Sequence, residues 1–169
     1  MRIAITDACI FIDLYDLQLT VPFFTLDLEI HTSVDVLNEL YHNQQQMLSA
    51  FQLTGKLTAH NISEGEKIEI LSTPYPKSLS DSDKTVLFLA SKLKAMVLSS
   101  DKTVRNCAKK SSIPYHGTIW IFDRLVDSQL LSKNEASIKL KKLITTNLVY
   151  KNNKELVEHM QERLVLWGK

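Results

Sequence analysis

Residues 2–14 read RIAITDACIFIDL, and residues 96–117 read MVLSSDKTVRNCAKKSSIPYHG. In each, a short apolar run leads into an Asp, and apolar residues then recur at helical spacing. Ile3, Ala4 and Ile5 suit a strand buried on both faces, while Cys9, Ile10, Ile12, Leu14 and Tyr15 suit a helix that follows it. The second stretch repeats strand, Asp and helix, then adds a strand in IPYHG and a turn at Gly117. This alternation predicts an α/β fold of three layers, α/β/α, with a central, mostly parallel sheet. In such sheets reactive residues collect outside the carboxyl ends of the strands. Asp7 and Asp101 stand at that place.

Around residues 22–30, Val21, Phe23, Phe24, Thr25 and Leu26 favour extended structure, although only LEIHT reads as a core strand. TSVDVLNEL predicts a helix capped by Thr32 or Ser33. Residues 43–53 read as a further helix and LTAHNIS as a strand, while EGEKIEIL suits either a short helix or a strand. STPYPKSLS, residues 72–80, is a loop. LSDSDKTVLFLASKLKA then predicts a long helix with Ser80 as its N-cap. Three helices complete the chain: IWIFDRLVDSQLL, NEASIKLKKLITTN (starting at Ser132 or Asn134) and KELVEHMQERLVLW. No repeat or linker divides the sequence, so one domain is expected over 1–169, with additional C-terminal helices over 130–169.

The chain has 169 residues, 44% hydrophobic and 23% charged, with four Gly and four Pro, which excludes fibrous and low-complexity classes. Two Cys, Cys9 and Cys107, are too few for a disulfide scaffold and point to a reducing compartment. No apolar run reaches eighteen residues, and Asp7, Asp13 and Asp16 break the opening one, so a soluble, cytoplasmic protein with no membrane partner is expected. The net charge of +1 hides a division: residues 1–80 carry ten acids and four bases, whereas 81–169 carry nine acids and sixteen bases. Such polarity suits cations at one place and an anionic polymer at another, or equally a set of solvated helix faces.

Neighbouring parallel strands lie about 4.8 Å apart, so Asp7 and Asp101 can share a cation. Glu39, late in its helix, and Asp83, in the first turn of the long helix, can face the same crevice. Each acid is equally a surface residue or a cap. Gathered together, four carboxylates would repel one another unless divalent ions intervened. Oxygen-only donors favour Mg2+ or Mn2+ over Zn2+. A hard cation there activates water and neutralises charge on a phosphoryl group. Arg105, one turn after Asp101, suits an ion pair with Asp101 or an adjacent carboxylate, or bidentate binding of the scissile phosphate. Lys84, Lys102, Lys109 and Lys110 suit backbone phosphates or a solvated face. Asp123 reads as an outer ligand or a salt-bridged helix position, and the five His, which lack any shared spacing, as structural.

Four blocks, in order, carry a resemblance: ITDACIFIDL, VDVLNEL, LSDSDKTVLFLA and VLSSDKTVRNCAKKSSIPYHG. Together they resemble PIN-domain proteins over residues 1–125, and in particular the VapC-type toxins of prokaryotic toxin–antitoxin pairs. The resemblance implies that Asp7, Glu39, Asp83 and Asp101 bind Mg2+ or Mn2+ and that Ser99 supports them. It implies cleavage of RNA, a small antitoxin as partner, and a homodimer. Cys9 stands where many members have Asn, Ser or Thr. Two other readings share the fold: a non-catalytic RNA- or protein-binding module, and a standalone RNA-processing nuclease. A flap nuclease lacks its helical arch here, and a response-regulator receiver lacks its pattern of acids.

Overall fold

The computed structural model describes residues 2–169. Its elements run β1 (Arg2–Thr6), α1 (Ala8–Asp16), α2 (Thr20–Phe23), β2 (Leu28–Ser33), α3 (Val34–Asn38), α4 (His42–Leu53), β3 (Leu57–His60), α5 (Glu64–Ser72), α6 (Asp81–Leu93), β4 (Met96–Leu98), α7 (Lys102–Lys110), β5 (Tyr115–His116), α8 (Thr118–Asp127), α9 (Lys133–Thr146), α10 (Leu148–Lys151) and α11 (Lys154–Trp167). This is the three-layer α/β class expected, a central sheet flanked by helices, with C-terminal helices. The chain divides into two compact units, one of residues up to Ile12 with Asp27–Thr118, the other of Asp13–Leu26 with Ile119–Lys169. No helix among the described residues is long and apolar enough to cross a membrane.

The first unit holds the sheet. Its order is β3-β2-β1-β4-β5, and every pairing is parallel. The chain builds outward from β1 to β3, then returns to the other side of β1 for β4 and β5. The order therefore reverses between β1 and β4, where open α/β sheets form a crevice at their carboxyl ends. Ala4, Ile5, Ile30, Val97 and Leu98 are buried within the sheet, and α6 packs on β1 and β2 through a helix in which Val86, Leu87 and Leu89 are also buried. Caps set the helix starts: Ser33, Ser63 and Ser80 each accept a backbone N–H at the entrance of α3, α5 and α6. The reciprocal bond from Ser63 N–H to Glu66 completes a capping box, and EGEKIEIL is accordingly a helix rather than a strand.

In the second unit, residues 20–23 depart from the extended reading. They form α2, because packing overrides propensity: Phe23 and Phe24 are buried and meet edge to face with centroids 5.3 Å apart. Pro22, within the first turn, is no obstacle to a helix. Lys139 and Lys142 on α9 donate to the carbonyls of Leu17 and Asp16, satisfying oxygens at the end of α1. Phe122 and Trp167 lie 6.1 Å apart between centroids, joining α8 to α11.

The parallel register of β2 and β3 sets Ser33 opposite His60 and His31 opposite Thr58, and it brings two imidazoles together. His31 Nδ1 and His60 Nε2 are 2.8 Å apart, and His31 Nε2 is 2.9 Å from Glu29 Oε1. Burial, then the charges of His31 and Lys92, push the His60 imidazole below its usual range, with Glu66 opposing. A depressed folded-state imidazole leaves the unfolded chain binding more protons, so its stabilising share is present above about pH 6.5 and is lost as pH falls below it. His60→Gln should therefore flatten that part of the stability curve. Urea midpoints of the two proteins should converge between pH 7 and pH 5, and parallel curves would refute this.

Candidate functional site

β1 ends at Thr6, and Asp7 follows with only 1% of its surface exposed. Its Oδ1 accepts from the backbone N–H of Ile10 at 3.1 Å, starting α1, and from the thiol of Cys9 at 2.9 Å. Burial pushes this carboxyl up to about 6, against hydrogen bonds from Cys9, Ser99 and Ile10 that hold it down, and the negative charge of Asp83 adds to the rise. Cys9 thus supplies the hydrogen bond that a hydroxyl or amide would have made.

Ser99, wholly buried after β4, connects Asp7 to Asp101. It hydrogen-bonds the Asp7 carboxyl and accepts from the backbone N–H of Asp101 at 3.0 Å. Asp101 is the N-cap of α7, its Oδ1 accepting from Val104 N–H at 2.9 Å. The ligand and cap readings of this acid are compatible, because Oδ2 accepts no hydrogen bond among the described residues.

Glu39 and Asp83 form a second connected set. Glu39 lies one residue past α3, as its C-cap, and its Oε1 accepts from the hydroxyl of Ser82 at 2.6 Å. Ser82 Oγ is 3.1 Å from Ser80 Oγ, and Ser80 and Asp83 close a capping box through Asp83 Oδ2. Ser80 was legible as a cap. Ser82 was not, because its partner is forty-three residues away and no local pattern announces it.

The expected ring of acids is therefore two hydrogen-bonded sets, Asp7–Ser99–Asp101 and Glu39–Ser82–Ser80–Asp83, with Asp7 and Asp83 close enough to feel each other's charge. Among the described residues no three His, Cys, Asp or Glu side chains are gathered closely enough to hold one metal ion. None of the four acids forms an ion pair among those residues. Arg105 does not pair with Asp101, whereas Lys84 reaches Asp81 at 3.4 Å and Lys102 is exposed. Asp123 is held by Arg163 Nε, at 2.8 and 3.1 Å from its two oxygens, which settles it as a salt-bridged helix position.

No curated protein matches the chain. The solved structure of a PilT N-terminus domain protein from the hyperthermophilic archaeon Sulfolobus solfataricus is similar over 75% of this chain and 93% of that one, at 14% identity and a TM-score of 0.47. The model of the family DUF3368, described as a PIN domain, matches residues 3–163. That match covers nearly the whole length, and this chain belongs to that PIN-domain family.

Proposed function

We propose that the chain is a Mg2+- or Mn2+-dependent endoribonuclease that hydrolyses RNA phosphodiester bonds, the toxin component of a toxin–antitoxin pair. The observation that carries this reading is Asp7: a carboxylate buried to 1% exposure at the switch point of a parallel sheet, raised to about 6 and paired with no basic side chain among the described residues. In donor chemistry, though not as a gathered cluster of three among the described residues, the set suits a hard cation held by one or two carboxylates. Besides the Cys9 thiol it offers only oxygens, and Asp83 Oδ1, Asp101 Oδ2 and Glu39 Oε2 accept no hydrogen bond among the described residues.

Asp7 and Asp101 would hold the principal ion, with Glu39 and Asp83 holding a second ion or orienting the attacking water. When bound, such an ion supplies Lewis acidity toward the phosphoryl group and makes water a stronger acid. Ser99 fixes Asp7 and the α7 entrance in one geometry. The Glu39 carboxylate, steadied by Ser82, can receive the proton of the attacking water. Lys84 and Lys102, at the starts of α6 and α7, offer charge to the RNA backbone. A small antitoxin protein, a homodimer and a cytoplasmic location belong to the same proposal.

Total RNA incubated with Mg2+ or Mn2+ tests it. Cuts that require the metal and vanish in both Asp7→Asn and Asp101→Asn support the nuclease. Cuts that persist in both variants, or folded protein that cuts no RNA, count against it and favour the non-catalytic reading.

A further inference from the structure

Arg105 sits in the first turns of α7, partly buried, and its Nε is buried with no hydrogen-bond partner among the described residues. Its guanidinium lies 5.5 Å from the centre of the Tyr115 ring and forms no ion pair among those residues. The charge is felt nearby: burial, then Arg2 and Arg105, push the His116 imidazole below its usual range. Native proteins rarely leave a buried N–H without an acceptor, and a guanidinium is built to give two parallel hydrogen bonds to an oxyanion.

The surroundings connect this group to the acids. Ser99 N–H donates to His116 O at 3.0 Å, tying the strand end that carries Asp7's partner to the turn at Gly117. A Cβ built on Gly117 would stand 3.5 Å from Ser99 O and 3.8 Å from Arg105 Nη1. The bare glycine thus leaves one side of Nη1 open, beside the hydroxyl residue that links Asp7 to Asp101.

We infer that Arg105 is the phosphate-binding residue of this site: set over the Tyr115 ring and left uncrowded by the side-chain-free Gly117, its guanidinium receives a phosphodiester of single-stranded RNA. The inference rests on the nuclease reading for the identity of the polymer, and it chooses between two roles open from sequence, since the ion pair with Asp101 is not formed. The Tyr115 ring lies within cation–π reach of the guanidinium, whose planar fork Lys cannot reproduce.

The test is binding of a short fluorescent oligouridylate to the full chain, with Ca2+ in place of Mg2+, over a range of salt. Arg105→Gln should weaken binding about tenfold and lower the slope of log affinity against log salt by about 0.7, the value of one single-strand phosphate. Arg105→Lys should keep the slope and lose part of the affinity. Gly117→Ala meets only ordinary van der Waals contacts, so it should fold normally while covering Nη1 and weakening binding. The Nε–H resonance of Arg105 should shift with the oligomer and stay still with a neutral methylphosphonate analogue. Unchanged affinity and slope in Arg105→Gln, an unmoved Nε–H, or no binding by the native chain would each overturn the assignment. Cleavage is scored separately: Arg105-dependent binding without cleavage removes the nuclease and leaves this site, and cleavage indifferent to Arg105 does the reverse.

Discussion

Asp7→Asn is expected to abolish metal-dependent RNA cleavage and, at neutral pH and without metal, to make the protein more stable. Loss of groups that merely orient a metal ligand costs 10- to 100-fold, and loss of a ligand itself should cost on the order of a thousandfold or more. The stability effect has the opposite sign. Asp7 titrates near 6 in the folded chain against 3.8 as its ordinary value. The folded state therefore binds the extra proton between those values, and its advantage is full below pH 3.8 and lost as pH rises through 6. A shift of that size corresponds to about 3 kcal/mol opposing the fold at pH 7.

Asparagine carries no charge and keeps an Oδ1 for the Ile10 N–H. The melting temperature should rise by about 6–12 °C at pH 7. The difference should disappear near pH 4. Saturating Mg2+ should narrow it at pH 7 by stabilising only the native protein, because ligand binding to the folded state adds stability. Equal or lower melting temperatures for the variant across this range would sink the argument. The same linkage predicts that metal affinity, read by titration of the native chain, falls about tenfold per unit below pH 6.

Asp13→Ala should be strongly destabilising. Asp13 is 4% exposed, and its two oxygens accept from Tyr150 Oη at 2.7 Å and Asn147 Nδ2 at 3.1 Å. Tyr150 is itself 2% exposed, and Asn147 caps α10 through Val149 N–H. Removing the carboxylate takes the acceptor from two buried or partly buried donors and unfastens α10 from α1. Hydrogen bonds to a charged group are worth about 1.5–3 kcal/mol each, and the two share a centre, so a loss of about 3 kcal/mol is expected. Urea unfolding measures it. Asp13→Asn, which retains one acceptor, should lose about half as much, and Tyr150→Phe combined with Asp13→Ala should cost less than the sum of the two. A loss below about 1 kcal/mol for Asp13→Ala would mean that the pair contributes little.

The strands and the cap-bearing helices were legible because their signals are local. RIAIT, MVLS, Ser80 and the helix after Asp101 are each announced by residues within a turn of one another. The four candidate acids stand out in the sequence for the same reason, since each one follows a strand or lies at a helix end. What escaped was set by distance along the chain. The His31–His60 pair depends on the register of two strands, and the hydroxyl on Glu39 comes from another helix. α10 is four residues long and follows a helix too closely for periodicity to separate it. In α2, burial of Phe23 and Phe24 outweighs their preference for extended backbone.

Asp83 and Asp101 help to begin helices whatever they do for the proposed reaction, and this has an evolutionary consequence. If the proposed turnover were lost in a descendant, both acids would still be under selection, for folding alone. Asp7 is different, since its ionised carboxylate works against the fold at neutral pH. In a lineage relieved of catalysis, drift should remove the charge at this position first. Its persistence across relatives is therefore the better gauge of living enzymes, and its replacement by a neutral residue the earlier mark of a retired one.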